Sequence, residues 1–165
     1  MNIRINITLA LILILSLPTT LKAQNTIPEL NKEIIKYVNS VIGTKVERGE
    51  CWDLANQALI KVGADWDREY KYGEKIDPRI DKVYPGDLVQ FEKVTVKYTQ
   101  GNATYTEIME HHTAIVYKVI EKGVYELAHQ NTEFSGRKVG INKLDINAVV
   151  HGKMYFYRPI KNLKK

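Results

Sequence analysis

Gly49-Glu50-Cys51-Trp52-Asp53-Leu54-Ala55-Asn56-Gln57-Ala58-Leu59-Ile60-Lys61-Val62-Gly63 is the stretch on which the reading of this chain turns. Leu54, Ala55, Ala58, Leu59 and Val62 recur at three- and four-residue steps, the period of a helix with one buried face. Gly63 closes it, since glycine readily takes the left-handed backbone just past a helix end. At the other end Cys51 falls in the first turn, and Gly49 allows a tight approach of the chain ahead of it. Backbone N–H groups there lack helical partners and the helix dipole is positive, so a thiolate is favoured. Cys51 is also the only cysteine in 165 residues, so no disulfide can form within the chain. A lone thiol at a helix start is a candidate nucleophile.

Such a nucleophile needs a base, and near neutral pH that is usually imidazole. The chain offers His111, His112, His129 and His151. Residues 112–119 and 124–131 read as two β-rich strands. On the first, His112, Ala114 and Val116 share a face; on the second, Tyr125, Leu127, His129 and Asn131 do. A hairpin centred between Glu121 and Lys122 sets Asn131 opposite His112 and His129 opposite Ala114, all on one surface. His111 then points to the other face and reads as exposed. His151 follows two valines in an expected turn, without such partners.

The rest of the chain supplies the frame. Thr26-Ile27-Pro28-Glu29 has the spacing of a capping box. Leu30, Ile34, Tyr37, Val38, Val41 and Ile42 then carry a helical period that stops at Gly43. Residues 63–85, with Tyr70, Tyr72 and Gly73, read as loop. Pro85-Gly86 makes a turn, residues 87–91 begin a strand, residues 92–98 continue the β pattern, and residues 154–158 form a last strand before Pro159. Helices first and strands afterwards is the order of an α+β fold. No repeat or linker divides residues 24–165, which read as one domain.

Residues 1–23 read as a secretory signal peptide. Arg4 precedes the apolar run of residues 7–17, and Leu21-Lys22-Ala23 ends on a small residue. The run is well short of the roughly 20 residues a membrane-crossing helix needs. Cleavage after Ala23 leaves an exported protein, periplasmic or secreted, with no membrane span. It also removes Arg4 and Lys22 but no acid, so the formal charge falls from +5 to +3. No basic stripe interleaved with aromatics points to nucleic acid. No spacing of Cys51 with the histidines matches a zinc site, so neither metal nor cofactor is expected.

Four blocks carry a resemblance. Gly49-Glu50-Cys51-Trp52-Asp53-Leu54-Ala55, Pro85-Gly86-Asp87-Leu88-Val89-Gln90-Phe91, His112-Thr113-Ala114-Ile115-Val116 and Ala128-His129-Gln130-Asn131 together resemble the CHAP family. These are cysteine, histidine-dependent amidohydrolases and peptidases of the papain-like superfamily, close to the NlpC-type cell-wall peptidases. The resemblance implies a papain-like fold in which a cysteine-bearing helix packs on an antiparallel sheet bearing the histidine. It makes Cys51 the nucleophile and His112 the base. His129 stands where CHAP members often have glutamate and the NlpC type has histidine, and Asn131 matches a further asparagine. The implied substrate is an amide bond in peptidoglycan or another peptide. A secreted peptidase acting on proteins, or a papain-like binding module without turnover, are the alternatives. A histidine in the third position also places the acid limb of activity near the ordinary histidine range.

Overall fold

The computed structural model describes residues 26–161, so the signal segment read in residues 1–23 lies outside the described residues. Helix α1 (Glu29–Val41) and helix α2 (Cys51–Val62) come first. Six strands follow: β1 (Glu74–Ile76), β2 (Leu88–Gln100), β3 (Ala103–Glu121), β4 (Val124–His129), β5 (Gly140–Asp145) and β6 (Val149–Arg158). They form one antiparallel sheet in the order β1-β6-β2-β3-β4-β5, with β2 and β3 at its centre. The expected α+β order holds: two helices pack on an antiparallel sheet.

Helix α2 has the bounds that its apolar period dictates, and Gly63 closes it at φ +62°. Its inward residues Leu54, Ala58 and Leu59 meet Ile34 and Val38 of α1 and Leu88, Ile115 and Ala128 of the sheet, all buried. Full burial of each leucine is worth about 2 kcal/mol. Alternate strand residues Val89, Phe91, Ala114, Val116, Leu127 and Phe156 build a second apolar cluster on the far face.

Helix α1 differs from expectation at its start. Pro28 occupies the N-cap and the helix begins at Glu29, with no side-chain cap. Proline suits a helix start because it has no N–H to leave unpaired, so Thr26 lies too far out for its capping box. Asn31 locks α1 to the turn before β2: its amide donates to the Pro85 carbonyl at 3.0 Å and to the Asp87 carboxylate at 2.7 Å.

The strands run longer than their pattern suggests. β3 begins at Ala103 rather than 112, and its outer half is largely exposed, so no buried face imposes an alternation. β5 is absent from the sequence reading, and β6 begins at Val149, which puts His151 on a strand opposite Thr95 instead of in a turn. The segment 63–85, read as loop, contains β1 and the fully buried Tyr72.

The β3–β4 hairpin corrects one expectation and keeps another. The strands pair Glu121 with Val124, so the turn is Lys122-Gly123, one residue further on. Two register irregularities follow, between Glu121 and Val119 and between Lys118 and Val116. Each takes up one residue of offset, and Val116 then faces Leu127, and Ile115 faces Ala128, in the expected register. The histidine end of the hairpin is therefore aligned as expected although its turn is not.

Candidate active site

Cys51 is the first residue of α2, and the chain ahead of it is held from three sides. The Asp53 carboxylate accepts from the N–H groups of Glu50 and Arg48, each at 3.1 Å, and pairs with the Arg48 guanidinium at 2.6 Å. Gln130, buried just past the end of β4, donates to the carbonyls of Glu50 at 2.8 Å and Val46 at 3.0 Å and accepts from the Val46 N–H. Gly49 has φ +86°, and a Cβ there would meet the Arg137 Cβ at 2.7 Å. The tight approach expected of this glycine is present. Sequence reasoning missed Gln130; the one signal for it was strand parity, which turns it away from His129 and toward the helices.

The ladder between β3 and β4 stops at Ile115 and Ala128, so Thr113 has no ladder partner on β4. The N–H of Thr113 lies against the Cys51 sulfur and favours its ionised form. Cys51 thus meets the backbone of β3 one residue from His112. On the next position of that strand, His112 Nε2 lies 2.8 Å from His129 Nδ1, with both rings buried. Phe91 and Phe134 flank the pair, with ring centroids 6.0 Å from His112 and 5.9 Å from His129.

Asn131 does not stand opposite His112. Strand β4 ends at His129, and Asn131 turns out of it at φ +62°, its N–H donating to the Gly136 carbonyl at 2.7 Å. Its exposed amide donates to the Glu50 carboxylate at 2.8 Å, where Arg137 also pairs at 3.2 Å. Asparagine tolerates left-handed backbone, so it ends the strand here. It steadies the residue before Cys51 but does not touch the histidines' ring-to-ring bond.

Tyr72 was missed as well. Its hydroxyl lies 2.9 Å from Thr113 Oγ1 and 3.1 Å from Gln90 Oε1, which also accepts from Thr113 at 2.7 Å. Burial pushes the Tyr72 phenol well above its ordinary range despite the Thr113 bond, and it remains protonated beside Cys51. Its segment lacks periodicity, so only its size and aromatic character hinted at a core role. Trp52 and Phe91 are packing residues; the Trp52 indole donates to the Glu69 carbonyl.

Electrostatics reverse one expectation. Burial pushes the Cys51 thiol up from its ordinary value, opposed by the N–H groups of Thr113 and Trp52 and aided by the Glu50 charge. A helix end contributes about 0.3–1 kcal/mol, less than one pKa unit, so it does not outweigh this desolvation. Burial lowers His112 to about 4, with the His111 charge adding to the fall. His129 falls to about 3, by burial first and then by the charge of His112, with the Asn142 side chain opposing. At neutral pH the site holds a thiol and two neutral imidazoles rather than a thiolate–imidazolium pair. Cys51 should accordingly react with iodoacetamide at pH 7 more slowly than a free thiol of pKa about 8.5. Faster reaction than the free thiol would contradict this.

His111 lies on the other side of the strand, exposed as expected. It pairs with Glu92 at 3.0 Å and meets the Tyr70 ring edge-on at 4.2 Å. His111→Ala should leave turnover at pH 7 within about twofold of wild type, since His112 is neutral there with or without its neighbour. A loss of tenfold would place His111 in the site. A cavity of about 530 Å³ on the far face is lined by Phe91, Leu127, His129 and Asn142 among others, but Cys51 does not line it.

The comparisons with known proteins bear on this arrangement. The family model of the AIM3/BBC1 cysteine proteinase-fold domain matches residues 22–164. No curated protein matches the chain. Among solved structures the chain is similar to Ly7917, at 17% identity over 77% of this chain and 62% of that one, with a TM-score of 0.43. It is likewise similar to Ly7917 with the hydrolyzing product of MDP, at 18% identity over 78% and 63% of the two chains, TM-score 0.44. The chain thus spans less than two thirds of the length of these relatives. With residues 22–164 matched, this chain belongs to the AIM3/BBC1 cysteine proteinase-fold domain family.

Proposed function

We propose that the chain is an exported cysteine hydrolase of CHAP type that cleaves amide bonds of peptidoglycan, with Cys51 as nucleophile, His112 as base and His129 as the ring that orients it. One observation carries the reading: Cys51 heads α2 against the Thr113 N–H, and the adjoining His112 is hydrogen-bonded to His129 at 2.8 Å. The sulfur attacks the amide carbonyl carbon while neutral His112 takes the thiol proton. The C–N bond breaks as His112 passes that proton to the leaving nitrogen, and a thioester remains on Cys51. Water then attacks the thioester with His112 again as base, releasing the acid and restoring the thiol. The N–H of Cys51 at the helix start is one donor for the developing oxyanion. Neutral resting partners suit this order of events, because His112 is a competent base from mildly acidic pH upward.

Peptidoglycan as substrate rests on the signal-like residues 1–23 and on the resemblance of the four sequence blocks. A second reading, a binding module without turnover, is favoured by the raised pKa of Cys51. Incubation of purified protein with peptidoglycan separates the two. Hydrolysis releases soluble fragments whose masses name the bond cut; a silent module sediments with the polymer and releases none.

A further inference from the structure

Two buried polar atoms beside the site have no hydrogen-bond partner: Nε2 of His129 and Oδ1 of Asn142. They belong to adjacent strands. Gly140 of β5 faces His129, and Asn142, two residues on, faces Leu127, so Asn142 is the diagonal neighbour of His129 on the same face. Gly140 keeps this corner closed, because its missing side chain leaves room for Phe134 and Ser135, which a Cβ would meet at 2.6 Å. The Asn142 side chain also favours the protonated His129 ring, the effect expected of an acceptor close to it. Both atoms are buried and unpartnered on one face of neighbouring strands, so a bond from Nε2–H to Oδ1, made by a small rotation of the amide, would satisfy both at once.

We propose that Asn142 is a positioning residue whose amide oxygen fixes the tautomers of both site histidines. The inference rests on the reading of His112 as base. A carbonyl oxygen only accepts, so His129 carries its proton on Nε2. Its Nδ1 then has a lone pair facing His112, and the 2.8 Å bond between the rings requires His112 to donate from Nε2. That leaves Nδ1 of His112 bare, the state a base for Cys51 needs. One amide oxygen sets the direction of the whole relay. Turned round, the amide would present N–H to His129, reverse both tautomers and leave His112 with a proton where its lone pair is required.

The test is ¹⁵N NMR of histidine-labelled protein at pH 7, with the exposed His111 and His151 identified by single substitution. Wild type should show His112 and His129 both protonated on Nε2 and bare on Nδ1. In Asn142→Leu the Nε2 proton of His129 has no acceptor, so both rings should move toward the Nδ1-protonated form. Asn142→Asp should keep the wild-type tautomers and raise the pKa of His129. On a cleaved substrate, Asn142→Leu should lower kcat by about a hundredfold or more with little change in KM, and Asn142→Asp should restore most of it. A proton on Nδ1 of either ring in wild type overturns the proposal, as does an unchanged tautomer pattern in folded Asn142→Leu. If Asn142→Leu does not fold, wild type and Asn142→Asp still decide it. The tautomers are read without any substrate, so a protein that cleaves nothing would sink the hydrolase reading while leaving this one to stand or fall by its spectra.

Discussion

Cys51→Ala should lower turnover of a cleavable substrate by on the order of a thousandfold or more, and His112→Ala by a similar factor. The double variant should be hardly worse than either single one. The reason lies in the resting state. Burial raises the thiol and lowers the imidazole, so in the proposed mechanism sulfur attack is coupled to proton transfer to His112 in the same step. Removing either partner removes that step entirely, and nothing is left for the second substitution to take away. Losses that multiply in the double variant would mean that the two residues act separately. Initial rates for the four proteins on one substrate settle the matter.

The next largest effect belongs to His129. His129→Ala leaves the Nε2–H of His112 without its acceptor in a buried site, and turnover should fall about tenfold to a thousandfold. The pH profile carries more information than the size of the loss. His112 lies near 4 in the wild type, so the acid limb of kcat/KM should fall well below the ordinary histidine value of about 6.5. The sign follows from the base being active when neutral: activity is present above this pKa and is lost as pH falls through it. His129→Glu places a carboxylate against His112, stabilises its charged form and should move the acid limb upward by at least about one unit. An acid limb that stays put in His129→Glu, or sits near 6.5 in wild type, would remove His129 from contact with the base. The expectation of an ordinary histidine limb was drawn from residue type alone; burial of both rings is what shifts it.

What was legible in the sequence had a period to carry it. Helix α2 is amphipathic and ends at a glycine, so its bounds and the place of Cys51 follow from the residues. The pairing of His112 with His129 follows from strand parity, and survives a misplaced turn because two irregularities restore the register. Asn131 obeys the same parity on paper, yet strand β4 stops two residues earlier, and parity says nothing about where a strand stops. β5 packs mostly half-buried residues on both faces, so neither a helical nor an alternating pattern marks it, and Asn142 went unseen with it. Gln130 and Tyr72 act through hydrogen bonds to chain 80 and 41 residues distant, which local sequence does not encode. The thiol's pKa was misjudged for a related reason. A helix start is visible in sequence, but depth of burial is a property of the assembled fold.

The central claim is that Cys51 carries the acyl group during hydrolysis. Protein turning over a peptidoglycan fragment should be quenched in acid and the peptide containing Cys51 weighed. The account predicts an added mass equal to the acyl half of the substrate, released by hydroxylamine and absent from Cys51→Ala. Fragments accumulating while Cys51 stays unmodified, or Cys51→Ala cleaving at the wild-type rate, would contradict it.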